Sequence, residues 1–393
     1  MQTFAYKARK LVTFANDAPA RGSDLFAPVD IIDNGMIITG ADRILAVGTN
    51  LNHDGAITDL GDVIVLPALV NAHSHLQLSW LKNKTLWGMG FGAWLASLIP
   101  QILKTINSGF GALQQAALAE ACNGLAATGT KFIADTGGSL PGALEIVHAA
   151  YQKAGLAGPR FCEWFGYGQW DSIWPPRCRS AVESSSQLYP VCAPAGHALY
   201  STSPQIMRGA SDWCRRNGRI FSFHLAESPE ETEFLCSGHG PLRDLYQKNV
   251  LPKNWQAPGL APLAYAQSLG IMGPHTLAVH GTQLSRKEIG QFASTGSSLC
   301  LCPRSNFNLT SGSPRTHDMM SAGILLCLGT DGLTSCEDLD VRNEARFLNE
   351  TQDIPMQALW RMATINGAHA LNLEPIAARL VPGAPACFSI WPD

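Results

Sequence analysis

Two histidines one residue apart, His73-Ser74-His75, end an apolar, β-branched run that begins at Val63, Ile64, Val65 and Leu66. In an extended strand, side chains at i and i+2 leave the same face, roughly 6–7 Å apart along the chain. Two imidazoles at one strand end can therefore hold a single metal ion without bending the backbone. On a core strand the same pair could equally be buried histidines satisfied by neighbouring carbonyls. The rest of the chain separates these alternatives. Phe221-Ser-Phe-His-Leu-Ala-Glu227 carries His224 with Glu227 just beyond it, Leu277-Ala-Val-His280 ends in His280, and Leu326-Cys-Leu-Gly-Thr-Asp331 ends in Asp331. Core histidines have no reason to choose strand ends repeatedly, so the set points to a metal centre. A bound divalent metal there would make water a nucleophile near neutral pH.

The elements that position these residues alternate. After the run ending at His73, Ala93–Thr105 and Ala112–Thr128 carry apolar residues at helical spacing. Strands are expected at Lys131–Asp135, Arg160–Phe165, Pro190–Leu199, Arg219–Ala226, Thr276–His280, Ser297–Cys302 and Ile324–Gly329. Helices are expected at Pro141–Ala154, Ser203–Asn217, Ala261–Ser268, Ser285–Ser294 and His317–Ala322. Two more follow, Asp338–Thr351 and Pro355–Asn366, the second opened by Pro355 and closed by Gly367. Eight strands, nearly all separated by helices, imply parallel pairing and a closed (β/α)8 TIM barrel of the α/β class, with functional side chains at the C-terminal strand ends.

Residues 1–62 hold shorter strand candidates, Lys10–Phe14, Val29–Ile32, Met36–Thr39 and Ile44–Val47, with a hairpin expected at Asp33-Asn34-Gly35. The tail Ala377–Trp391 returns to strand-like alternation and is expected to pair with them. The expected organisation is a small discontinuous β-sandwich domain from residues 1–62 and 373–393, around a barrel over 63–372.

Composition excludes several roles. With 28 basic and 31 acidic residues the net charge is −3 and no basic stripe exists, which disfavours nucleic acid and membrane surfaces. Eleven irregularly spaced cysteines read as reduced thiols of a cytoplasmic protein, and the first ten residues lack a signal-peptide apolar core.

The pieces Leu66-Pro-Ala-Leu-Val-Asn-Ala-His-Ser-His75, His224-Leu-Ala-Glu227, Val279-His280-Gly281, Cys302-Pro-Arg-Ser-Asn306 and Gly329-Thr-Asp-Gly332 occur in that order across the barrel. In them the chain resembles the amidohydrolase superfamily, in its cytosine/purine deaminase and triazine hydrolase branch. The resemblance implies that His73, His75, His224 and Asp331 hold one divalent metal, zinc ahead of iron. Two-metal members need a lysine at the end of strand four, and Pro190-Val-Cys-Ala-Pro-Ala-Gly-His-Ala-Leu199 has none. It also implies that Asp331 takes the proton of the attacking water, that His280 orients that water, and that Glu227 protonates a ring nitrogen of a heteroaromatic amine.

Asn71-Ala-His-Ser-His-Leu-Gln-Leu-Ser79, the helix around Gly92-Ala-Trp-Leu-Ala-Ser-Leu98 and His224-Leu-Ala-Glu-Ser-Pro-Glu-Glu231 look most like the aminofutalosine deaminase-like group. That group removes ammonia from 6-amino-6-deoxyfutalosine, an adenine nucleoside on a route to menaquinone. Its members commonly carry Glu where this chain has Gln77. Deaminases of methylthioadenosine, S-adenosylhomocysteine or adenosine use the same shell; guanine deaminase and chlorotriazine hydrolase lie further off. A barrel that binds metal and ligand without turnover is the alternative of another class. Candidate substrate contacts are Gln77, His197, Trp94 and Arg304, each weighed against a structural role. The Trp-rich stretches Phe161–Trp174 and Trp80–Trp94 are candidate pocket walls. The expected partner is a small heteroaromatic amine, and barrels of this kind often pair as homodimers.

Overall fold

The computed structural model describes residues 2–137, 143–168, 192–247 and 250–392. Strands β1 (Phe4–Val12), β2 (Ile31–Thr39), β3 (Ile44–Gly48), β4 (Ile57–Asp59) and β5 (Val63–Pro67) belong to one sheet. The barrel strands follow: β6 (Leu69–Ser74), β7 (Thr130–Gly137), β8 (Arg160–Trp164), β9 (Cys192–Gly196), β10 (Phe221–Leu225), β11 (Thr276–His280), β12 (Ser298–Leu301) and β13 (Leu325–Leu328). They pair in parallel as β6-β7-β8-β9 and β10-β11-β12-β13. Parallel bridges Ala198↔His224 and Ser74↔Asp331 join the two halves at both edges, closing a TIM barrel. The last strand, β14 (Phe388–Pro392), pairs antiparallel with β5 and completes a six-stranded sheet ordered β14-β5-β1-β2-β3, with β4 on β1.

Local chemistry sets many of the helix starts. Ser203, Ser228 and Ser285 each accept a backbone N–H of the first turn, from Ile206, Glu231 and Glu288, and Pro204 and Pro229 follow two of these caps. Between β6 and β7 lie the helices Phe91–Ser108 and Ala112–Ala127. No helix among the described residues is long and apolar enough to cross a membrane.

Three expectations are corrected. The run from Val63 to His73 is two strands, because Pro67 cannot donate to a ladder: β5 serves the terminal sheet and β6 enters the barrel. Asp33-Asn34-Gly35 does not reverse the chain. Strand β2 continues through it beside β1, with Asn34 at φ +49°, and the reversal comes at Gly40, whose N–H donates to Arg43 O. The segment Pro355–Asn366 is broken at Thr364 (φ −132°, ψ −100°) into the helices Met356–Met362 and Ile365–Ala370. Gly367 lies inside the second helix rather than closing it. A Cβ there would stand 2.9 Å from Val70, so the glycine permits close packing on β6.

Asn366 ties three segments together. Its Oδ1 accepts Ala20 N–H at 2.8 Å, and its Nδ2 donates to Ala20 O and to Leu326 O of β13, both at 3.0 Å. All of this is buried. Asn366→Ala leaves those backbone groups unpaired and should destabilise the fold by about 1–3 kcal/mol, read as a lower urea midpoint at unchanged metal content.

Candidate metal centre

The barrel rim gathers the strand-end residues. His73 leaves the end of β6, His75 follows it, His224 sits in β10, His280 ends β11, and Asp331 lies three residues past β13. One cluster comprises His73, His224, His280 and Asp331, and a second comprises His75, Glu163 and His224. The backbone places these groups through unusual conformations. Ala226, His280 and Asp331 all have positive φ (51°, 76° and 59°), which costs a non-glycine residue about 1–3 kcal/mol and turns the chain sharply off each strand. Gly329 lets β13 approach β6, since a Cβ there would lie 2.7 Å from His73 N.

Hydrogen bonds fix which ring nitrogens carry protons. His75 Nδ1 lies 2.9 Å from Thr136 O, and His224 Nδ1 lies 2.6 Å from His197 O. A carbonyl only accepts, so both Nδ1 atoms are protonated and both Nε2 atoms present lone pairs. Yet those two Nε2 atoms are 3.2 Å apart, and His224 Nε2 is also 3.2 Å from His73 Nε2. Asp331 Oδ1 stands 3.3 Å from His75 Nε2 and 3.5 Å from His73 Nε2. Electron pairs this close repel one another unless a cation lies among them. Three imidazoles and a carboxylate are a donor set that fits one divalent ion.

His280 differs from the other three. Asn306 Nδ2 donates to His280 Nδ1 at 3.2 Å, which puts the ring proton on Nε2. That buried Nε2 has no hydrogen-bond partner among the described residues and faces Glu227 Oε1 at 3.6 Å. Asp331 Oδ2 accepts from Ser305 Oγ at 2.8 Å and Ser335 Oγ at 2.6 Å, leaving Oδ1 for the centre.

The two catalytic-candidate carboxyls are driven apart. Burial pushes Glu227 well above the carboxylate range, helped by the charges of Asp331, Glu231 and Glu230. Burial works against ionisation of Asp331 too, but the His73 hydrogen bond and the charges of His75 and His280 hold it well below that range. One group is thus poised as an acid and the other as a base. Burial also lowers His73 to about 4, and His197 and His280 to about 3.

The expected substrate contacts fare unevenly. His197 stands beside the centre, its ring 5.0 Å from that of His224, with Nδ1 paired to Ser201 Oγ. Gln77 is buried against Gly137, where a Cβ would come 2.8 Å from its amide carbon. Trp94 donates its Nε1–H to Thr334 O at 2.9 Å, and Trp87 Nε1 and Thr85 Oγ1 converge on the same carbonyl. Trp94 therefore pins its segment to the loop after β13. Arg304 is committed to Asp338, Glu337 and Glu344, which makes it a strut of that loop in place of a substrate contact. Of the stretch Phe161–Trp174, residues 169–174 lie outside the described residues. Sequence reasoning passed over Glu163. It lies near the C-terminal end of β8, so the strand-end rule that found His224 and Asp331 could have found it.

Two outcomes follow from the neutral, buried histidines. His73→Ala should remove stoichiometric metal, read by elemental analysis against one ion per chain in the parent. The metal-free protein should lose stability as pH falls below about 6.5, since His73, His224 and His280 take up protons there in the unfolded chain and not in the folded one. For His73 the loss is on the order of 3 kcal/mol by pH 4, measured as the fall in urea midpoint.

A model of the amidohydrolase family matches residues 64–393. A 5-methylthioadenosine/S-adenosylhomocysteine deaminase of Nitratidesulfovibrio vulgaris is 27% identical, the match covering 91% of this chain and 78% of that protein. An aminodeoxyfutalosine deaminase of Deinococcus radiodurans is 26% identical over 80% of this chain and 76% of its own. The crystal structure of Helicobacter pylori aminofutalosine deaminase with methylthio-coformycin superposes with a TM-score of 0.80 at 20% identity, covering 99% of this chain and 92% of that one. The chain belongs to the amidohydrolase family and is a metal-dependent hydrolase acting on C–N bonds.

Proposed function

We propose that this protein deaminates an adenosine-like nucleoside by hydrolysis, with 6-amino-6-deoxyfutalosine as the first candidate substrate and methylthioadenosine or S-adenosylhomocysteine as the next. The observation that carries this reading is the convergence of three imidazole Nε2 atoms and Asp331 Oδ1 beside Glu227, whose Oε1 stands 3.6 Å from His280 Nε2. The relatives' activities, deamination of methylthioadenosine, S-adenosylhomocysteine and aminodeoxyfutalosine, support the substrate class.

His73, His75, His224 and Asp331 would hold the metal, zinc first and iron second, whose Lewis acidity makes water a nucleophile at neutral pH. Asp331 Oδ1 accepts the water proton, and the two serines on Oδ2 keep the carboxylate in place. His280 directs its Nε2–H toward the reacting centre. Glu227, held protonated by burial, gives its proton to a ring nitrogen as the amino-bearing carbon is attacked, which weakens the bond to the departing ammonia. Burial of Asp331, His280 and Glu227 strengthens each of these electrostatic contacts.

The test is ammonia release by metal-replete protein with 6-amino-6-deoxyfutalosine, methylthioadenosine, S-adenosylhomocysteine, adenosine and guanine. Preference for one adenine nucleoside is the expected result, and no release from any member rejects the proposal. Glu227→Gln should lower kcat by about 10²–10⁴-fold with the metal retained. An unchanged rate would remove Glu227 from the mechanism.

A further inference from the structure

Glu227 stands on a turn that a second carboxylate holds. Strand β10 ends at Leu225, Ala226 turns the chain at φ +51°, and Glu227 follows before Ser228 caps the helix Pro229–Ser237. A non-glycine residue at positive φ is strained by about 1–3 kcal/mol and stays there only where its surroundings fix it. Two contacts do so here. Gln283 N–H donates to Ala226 O at 2.9 Å, and Glu227 N–H donates to Glu231 Oε2 at 2.8 Å.

The second contact departs from ordinary helix capping. Glu231 is the third residue of its helix, and a glutamate there normally reaches back to the N–H of the capping residue. Glu288 does this, its Oε2 accepting Ser285 N–H at 2.9 Å. Glu231 reaches one residue further, past Ser228 to Glu227. The first turn already has its side-chain acceptor, since Ser228 Oγ takes Glu231 N–H at 3.2 Å. Glu231 is also fully buried, a costly placement for a carboxylate that an apolar side chain of like size would avoid. The carboxylate is therefore spent on the turn that carries Glu227.

We propose that Glu231 is a positioning residue for Glu227: its Oε2 holds Glu227 N–H and so keeps the Glu227 carboxyl aimed at the centre, where its Oε1 stands 3.6 Å from His280 Nε2. This rests on the deaminase reading given above, in which Glu227 gives the proton. In this role Glu231 acts only through the main chain of Glu227. Without the anchor the proton donor shifts, and a shift of about 1 Å in a reacting group costs about 10²-fold in rate.

Glu231→Met fills the space without an acceptor, whereas Glu231→Gln keeps an acceptor oxygen and removes the charge. In the metal-loaded enzyme the methionine variant should lower kcat about 10–100-fold, with KM within about threefold of the parent and one metal per chain. The glutamine variant should recover most of that loss. The decisive comparison is made in the Glu227→Gln background, where the proton donor is already gone: adding Glu231→Met there should lower kcat no further. An unchanged kcat in Glu231→Met would overturn the assignment. So would a glutamine variant as slow as the methionine one, or a double variant whose loss is the product of the two single losses, the mark of a general structural role. If the methionine variant does not fold, Glu231→Asp, which draws the carboxylate back by one methylene, takes its place with the same expected split between kcat and KM. Failure of the deaminase reading is distinguishable: the parent enzyme would then release no ammonia from any nucleoside.

Discussion

Closure of the barrel and construction of its centre are the same event. The seam between β6 and β13 is held by Thr330 N–H and Asp331 N–H on His73 O, at 3.0 and 3.1 Å, and by His75 N–H on Asp331 O at 3.0 Å. The seam between β9 and β10 is held by His224 N–H on His197 O at 2.9 Å. Residues whose side chains make the metal site thus join the two half-barrels through their main chains. A barrel has no free edge, so every seam must be paired. That requirement fixes the first and last strands in register, and with them His73, His75 and Asp331.

Rigid seams allow the centre to store electrostatic cost. The Nε2 atoms of three imidazoles converge at 3.2 Å, and Glu227 and Glu163 are buried beside His280 and His224. Burial raises Glu163 to about 7 and drives His73, His197, His224 and His280 below their usual range. Such a set is unfavourable by itself and is retained because the surrounding sheet over-determines its geometry. Positive φ at His280 and Asp331 belongs to the same account, as backbone strain that aims side chains into the mouth.

Around the mouth, the segments that follow the strands are fastened to each other. Thr334 O gathers Thr85, Trp87 and Trp94, joining the segment after β6 to the loop after β13. Arg304 and its three carboxylates brace the same loop from the β12 side. Ser305 and Ser335, which hold Asp331, come from these two braced segments. The braced segments therefore support Asp331, which itself follows β13.

Much of the architecture was legible in the chain. The strand and helix alternation is local, since it follows from apolar periodicity and from capping serines and prolines, and the metal-site histidines betray themselves by falling at strand ends. What the periodicity could not show is where pairing partners lie. Pro67 splits one apolar run between two sheets, Asn34 stays within a strand because β1 runs beside it, and Gly367 serves packing on Val70 rather than a helix end. The roles of polar residues were harder still. Arg304 and Trp94 look like binding groups in sequence and are claimed by structural partners in space, while Glu163 looks ordinary in sequence and lies buried beside His224. The sequence by itself determined the barrel and the residue types of its metal site, because both depend on short-range pattern. Only the tertiary structure decided donor directions and which carboxylates are buried, because hydrogen bonds and burial depend on neighbours far apart in the chain.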